Sequence, residues 1–420
     1  MRKITKLIMA GSLVVASVMA QPLDFSGYAR TYLGVLTNDS LDYAINQNTF
    51  NLNIEKKMGN VGFLANATMY QYPNSDLNFD LSELYMDIFF DNMDLRLGRQ
   101  MIIWGKADGV FITDIISPKD LGEFLLRDFD EIRTGVTSLK ADYYLGNNTL
   151  EFVWIPTFTS TLMPDESSIW SRTPSFDLPV TIDYSQKEVR GKLENSEAFL
   201  KFSGMSSLID YELMAGTMWD DDPTMHISPV MEEGNPQPLG LTLTPKHHRL
   251  NLFGGSFSTE IKGFVVRGEG AYYTGKQFSA LNPMNNMAID LLEKDYLHYL
   301  LGTDFNIGET RLSTQFIQRA ILDYDDTIVQ DEMDNMMTFL VNRTFLRETL
   351  TLQLFSYVGL NFEDALIRPT IAYDIADGFE ILAGANIFYR NDDTDPPSIQ
   401  EMFGYYDEND MVYLKLKYSF

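Results

Sequence analysis

Asp410-Met-Val-Tyr-Leu-Lys-Leu-Lys-Tyr-Ser-Phe420 closes the chain with apolar and polar side chains in alternation. At a period of two, Val412, Leu414, Leu416, Tyr418 and Phe420 share one face of an extended strand, while Lys415, Lys417 and Ser419 share the other. The same two-faced pattern returns upstream. Phe379, Ile381, Ala383, Ala385, Ile387 and Tyr389 oppose Glu380, Asn386 and Arg390, and Leu350, Leu352, Leu354 and Val358 oppose Thr351, Gln353 and Tyr357.

The opposite end reads as an export leader. Arg2, Lys3 and Lys6 precede an apolar stretch from Leu7 to Val18, and Val18-Met19-Ala20 supplies small residues for cleavage. Residues 1–20 are therefore expected to be a signal peptide and the mature chain to start at Gln21. Twelve apolar residues are too few to span a hydrocarbon core about 30 Å thick. No later segment reaches 18 consecutive apolar residues, so a membrane location requires a closed barrel, which leaves no sheet edge unpaired in lipid.

Strand-like segments of about 10 to 15 residues recur from Phe25 onward, and their connections alternate in length. Asp91-Asn92, Gly146-Asn147-Asn148, Thr259-Glu260, Gly308-Glu309 and Asp377-Gly378 are among the tight ones, whereas 105–134, 159–195, 221–245, 275–294 and 391–409 are long. Short periplasmic turns and long extracellular loops define an all-β, transmembrane, antiparallel up-and-down barrel over residues 21–420. About 18 segments are counted, including 196–204, 261–274 and 295–307; merging the weak segment 196–204 would give 16.

Composition fits this class. The chain has 28 Phe, 22 Tyr and no cysteine, so strands and aromatic girdles are favoured and disulfides play no part. Without the three basic leader residues, 29 Lys and Arg face 59 Asp and Glu, a formal charge of −30. Such a chain has no surface to neutralise nucleic-acid phosphates. Acidic groups cluster at Asp220-Asp221-Asp222, Asp323–Asp326, Asp331–Asp334, Asp392–Asp395 and Asp407–Asp410, all expected on the outer side as solvated loop charge. Lipid and lipopolysaccharide are the expected surroundings there, and Lys246-His247-His248-Arg249 reads as an interfacial basic patch.

The densest chemistry lies in Leu81–Pro118. With Asp91-Asn92 as a turn, Asp87 falls opposite Arg96, Tyr85 opposite Gly98 and Glu83 opposite Gln100, all on one polar face directed at the lumen. This ladder either stiffens the wall or contributes to selectivity. Strict alternation would aim Arg99 at lipid, where it costs about 2–4 kcal/mol, so a bulge near Gly98 is expected to turn it inward. In the 105–134 loop, Ser117, Pro118 and Asp120 form a helix-start pattern that would place Leu121, Phe124 and Leu125 on one helical face. Lys119, Asp120 and Glu123 would then line a constriction if the loop folds into the lumen; the alternative is a cap on the rim.

Gly98-Arg99-Gln100, Trp104-Gly105, Asp114-Ile-Ile-Ser-Pro118-Lys-Asp120-Leu121 and Trp154-Ile155-Pro156 resemble an uncharacterised family of proteobacterial outer-membrane barrels over residues 80–165. That family is linked with transport or efflux of lipids and other hydrophobic compounds, so the resemblance implies passage of a molecule across the Gram-negative outer membrane in concert with an inner-membrane transporter. The C-terminal strand likewise resembles the closing strand of such barrels, whose terminal aromatic, here Phe420 with Tyr418, is read by the barrel-assembly machinery.

No G-x-S-x-G, H-E-x-x-H or P-loop occurs, and His226, His247, His248 and His298 show no metal-ligand spacing. No cofactor, metal or enzymatic activity is expected. A porin-like channel is the leading reading. A structural or adhesive barrel binding partners through acidic loops is the second, and a hydrolase with Ser and His on adjacent strands is the third.

Overall fold

Strands with one apolar face can sit in a bilayer only when every backbone N–H and C=O finds a neighbour, which a closed sheet provides. The computed structural model describes residues 23–73, 76–172, 178–232, 238–281, 289–391 and 400–420, and the expected leader and Asp392–Asp395 lie outside them. Eighteen strands form one sheet. They are β1 Asp24–Leu36, β2 Tyr43–Met58, β3 Val61–Gln71, β4 Asn78–Phe89, β5 Met93–Gln100 and β6 Val136–Leu145. Next come β7 Asn148–Ile155, β8 Glu197–Met205, β9 Asp210–Trp219, β10 Arg249–Ile261, β11 Phe264–Leu281 and β12 Ile289–Ile307. The last six are β13 Thr310–Ile321, β14 Met333–Phe345, β15 Leu350–Gly359, β16 Ala365–Ala376, β17 Phe379–Tyr389 and β18 Met411–Ser419.

Each strand pairs antiparallel with the next, and β18 returns to β1 from Tyr28↔Ser419 to Leu36↔Met411. The barrel is thus closed, with no edge left for another chain. Phe420 extends the seam: its N–H donates to the Gly27 carbonyl at 3.0 Å, its own carbonyl accepts from Gly27 at 3.1 Å, and its ring stacks on Phe50. Tyr418 and Phe420 are both about half exposed on the outer face. Leu97, Phe152, Leu200, Phe253, Leu301, Phe339, Leu354, Ile387 and Leu414 are likewise exposed, as a lipid-facing belt requires, while Arg30, Gln47, Glu269, Gln315 and Lys415 point inward and are buried. This is a closed β-barrel with an apolar outer belt. No helix among the described residues is long and apolar enough to cross a membrane.

Three features depart from the sequence reading. The β11–β12 hairpin is longer than 261–274 and 295–307, because a bulge between Tyr273 and Lys276 restores pairing and carries it on from Lys276↔Lys294 to Leu281↔Ile289. The turn before β11 sits at Lys262-Gly263 rather than Thr259-Glu260, since both residues take left-handed backbone angles that match hairpin twist. Within the outer loops, Val180–Ile182, Thr224–Val230 and Gly240–Lys246 build a separate three-stranded sheet. The segment 196–204 is a genuine strand, so the count is 18.

Candidate functional site

The motif residues after β5 build the root of one long loop. Ile102 donates its N–H to Ser117 Oγ at 2.8 Å, and the Ser117 hydroxyl returns a bond to the Ile102 carbonyl. Trp104 is 2% exposed and donates its indole N–H to Glu151 at 2.6 Å, with Lys201 over its ring. Asp114 receives the Arg133 Nε at 2.6 Å with both side chains at 5% exposure or less, so a buried ion pair ties the interior of the loop to its C-terminal end. Burial raises the Asp114 carboxyl above its usual range even though Arg133 opposes the shift. Ile102, Trp104, Ile115 and Ile116 pack with Val153, Ile155, Phe199, Met214, Leu250 and Leu252, filling this side of the barrel.

From that root the loop reaches inward-facing residues on several walls. Toward β11, β13 and β15, the Glu269 carboxylate accepts from the Lys106 and Thr113 backbone N–H groups, Gln315 exchanges hydrogen bonds with the Asp108 backbone at 3.1 and 2.7 Å, and Tyr357 OH donates to the Gly109 carbonyl at 2.7 Å. Gly109 has φ 75°, and a Cβ there would lie 2.4 Å from Phe355, so only glycine brings the backbone this close. Asp108 also bonds Arg267 and Arg311. Toward β1 and β18, Glu131 accepts from Arg30 at 2.8 Å and from Tyr28 OH at 2.7 Å, and Asp128 bonds Arg30 and Lys415. Glu123 receives Tyr72 OH and Gln47.

Cavities flank this bridge. One of about 420 Å³ is lined by Lys119, Leu121, Phe124, Leu125, Asp220, Asp221, Asp222, Lys276, His298 and Arg319. A second, about 570 Å³, is lined by Tyr28, Asn51, Asn66, Tyr70, Arg99, Asp120, Arg127 and Glu131. A third, about 310 Å³, includes Leu125, Asp128, Phe129, Phe355, Tyr357, Arg368 and Lys415. Above the first, Phe124, Trp170, Phe388 and Tyr406 cluster with ring centroids 4.6–6.2 Å apart.

The residues singled out from the sequence fall into two groups. Asp87 lies opposite Arg96 and accepts its guanidinium in a two-pronged pair at 2.7 and 3.0 Å, and Arg96 stacks over Tyr85, which lies opposite Gly98. These residues sit beside the Asp91-Asn92 turn, at the tight-turn end of the barrel. Glu83 lies one step beyond the last strand pair, Leu84↔Arg99, and accepts the Met101 N–H at 2.9 Å, while the Gln100 amide donates to the Ser138 carbonyl. Arg99 donates to the Leu81 carbonyl at 2.7 Å and lines the second cavity. No bulge lies at Gly98, whose register runs unshifted against both neighbours despite its φ of 133°; the extra residue is Ser82 in β4, on the β3 side.

The second group differs from expectation in conformation. Residues 117–125 form no helix: the Ser117 hydroxyl is committed to Ile102, Pro118 accepts from Thr134, Lys119 bridges to Arg133, and Phe124 has φ 52°. A capping-box pattern cannot start a helix when its hydroxyl and carbonyl are already taken. Leu121, Phe124 and Leu125 line the first cavity, and Phe124 and Leu125 also pack on inward-facing wall residues, Phe124 against Phe388 of β17. Lys119 lies over Phe111, Asp120 pairs with Arg127 at 2.8 Å, and Glu123 is a tether. Sequence reading missed Arg30, Asp128, Glu131, Glu269, Gln315 and Lys415, because each meets its partner across about 98 to 287 residues and alternation only marks them as inward.

Eighteen strands, an apolar belt and an occupied interior define a closed barrel of porin-like fold. Residues 37–290 match the family described as a protein of unknown function, DUF1302, and the chain belongs to that family. Its fold is similar to the crystal structure of OccK8 (OprE) from Pseudomonas aeruginosa, with TM-score 0.56, 12% identity and coverage of 95% of this chain and 97% of that one. A BenF-like porin from Pseudomonas fluorescens Pf-5 gives 0.54, 9%, 95% and 98%, and OccAB3 of Acinetobacter baumannii 0.53, 10%, 95% and 98%. No curated protein matches the chain.

Proposed function

We propose that the protein is a non-enzymatic outer-membrane channel whose effective width is set by residues 101–134. The observation that carries this reading is the tethering of the loop to separate stretches of the wall, through Glu269, Gln315 and Tyr357 on β11, β13 and β15 and through Arg30 and Lys415 on β1 and β18. A segment held at both ends inside a barrel narrows it without closing the wall, and hydrogen-bonded anchors keep that narrowing reproducible. Lys119, Asp120 and Glu123 belong to this segment, Arg99 and Gln100 end the strand that leads into it, and Glu83, Tyr85, Asp87 and Arg96 form a stiff wall below. Refolded protein in a planar bilayer should give discrete conductance steps.

A second reading, passage of hydrophobic solutes handed to or from an inner-membrane transporter, draws support from the Phe124, Trp170, Phe388 and Tyr406 cluster beside the first cavity. A folded protein that stays silent at every voltage, together with loss of hydrophobic-dye uptake in cells lacking it, would favour this route over an ion-conducting one. Assembly through the terminal Tyr418 and Phe420, and contact of the outer loops with lipopolysaccharide, belong to the same proposal.

A further inference from the structure

The third cavity lies between the 101–134 loop and the wall from β14 to β18, and one of its cations is left over. Asp108 is held by Arg267 and Arg311, Asp128 by Arg30 and Lys415, and Arg127 pairs with Asp120 at 2.8 Å. Arg368 on β16 differs: among the described residues it forms no ion pair, and its Nε donates to Asn386 Oδ1 at 3.0 Å. Asn386 is 1% exposed and does not itself line the cavity, so it grips the guanidinium from behind and holds the fork in one orientation. We propose that this cavity binds a small amphipathic carboxylate, with the acid group on Arg368 and the ring or chain between Leu125, Phe129 and Ile132 of the loop and Leu340, Phe355 and Leu382 of the wall.

The chemistry of the lining selects that class. A cation set among apolar side chains without its own acid gains most from an anion brought in from outside, and a planar guanidinium matches a carboxylate with two parallel N–H···O bonds. Thr370 and Tyr413 add hydroxyls to the same lining. At about 310 Å³ the space is at the small end for ligand cavities, which suits a single ring or a short alkyl chain and not a two-chain lipid. Half of the apolar contact comes from the loop, so the ligand would bridge loop and wall and be held only while the loop stays tethered. This inference rests on the channel reading and gives the channel a substrate class.

Titration calorimetry of the refolded full-length barrel with 3-phenylpropanoate should show one saturable equivalent, and 3-phenylpropanamide, equal in shape but uncharged, should bind at least about tenfold more weakly. Arg368→Gln should weaken the acid at least about tenfold and leave the amide little changed, while Arg368→Lys, which keeps the charge but loses the fork, should fall between. Leu382→Ser should weaken acid and amide alike, because it removes apolar contact only. Heat-modifiable migration on gels checks that each variant is folded, and the comparison of acid with amide on the unaltered protein decides the matter even if a variant fails to fold. Bound acid should also protect residues 107–130 from protease. Absence of saturable binding, equal affinity for acid and amide, or undiminished acid binding in folded Arg368→Gln would overturn the site. Conductance steps without such binding would sink this inference and leave the channel reading standing, whereas binding without conductance would do the reverse.

Discussion

Asp128 holds two buried cations of the barrel wall, Arg30 and Lys415, from a position in the loop. Burial alone would raise its carboxyl, but Lys415, Arg30 and Arg368 together outweigh burial and hold it below the usual carboxylate range. A carboxyl depressed in the folded state contributes stability that is complete above its unfolded pKa, about 3.9, and is lost as pH falls through the lower folded value. Acidification below about pH 4 should therefore loosen this tether, seen as increased protease cleavage in 107–130. Asp128→Asn should show that cleavage already at pH 7, and an acid-insensitive wild type would count against the tether. At the loop root, Arg133→Met leaves Asp114 buried without its cation, which costs about 3–5 kcal/mol if the loop stays in place. The measurable result is a lower urea midpoint for loop protection. The legible pairs were the local ones: Asp87 and Arg96 lie nine residues apart across a tight turn, so turn position alone fixes their register. Asp128 and Lys415 are separated by 287 residues, and only barrel closure brings them together.

The loop itself was legible as an apolar segment in need of a packing partner, and illegible in conformation. Ser117, Pro118 and Asp120 satisfy a helix-start pattern, yet the hydroxyl is drawn off by Ile102 and the backbone is drawn into bridges with Arg133 and Leu162. Tertiary hydrogen bonds here override local propensity, as they do wherever a short segment has more to gain from its surroundings than from its own turn. Deleting residues 107–130 should raise single-channel conductance several-fold while the barrel keeps its heat-modifiable shift on gels. Unchanged conductance in a folded deletion would place the loop outside the conduction path. Gly109→Val offers a gentler version. It forces a β-branched residue to positive φ and into Phe355, so it should detach the Tyr357 anchor and raise conductance by a smaller factor, with the Arg30 side still tied.

At the scale of the molecule, alternation and loop asymmetry were enough to read eighteen strands and closure, because a side-chain period of two and a bilayer solvent leave few other folds. Net charge was a poorer guide. A formal −30 for the mature chain suggests a lumen that concentrates cations, but the charges lining the cavities nearly cancel. Asp114, Asp220, Asp221 and Asp222 share the first cavity with Lys119, Lys276 and Arg319, and Asp80, Asp120, Asp130 and Glu131 share the second with Arg99, Arg127 and Arg133. In the third, Asp108 and Asp128 meet Arg127, Arg368 and Lys415. The acidic excess therefore lies outside these cavities, where exposed charge is screened by salt beyond about 8 Å at physiological ionic strength. Reversal potentials in a KCl gradient should accordingly give a cation-to-anion permeability ratio within about threefold of one. Arg368→Gln removes one of three cations from a cavity holding two acids and should tilt that ratio toward cations. Strong selectivity of either sign in the wild type, or no shift in the variant, would mean that ions take a path these cavities do not line.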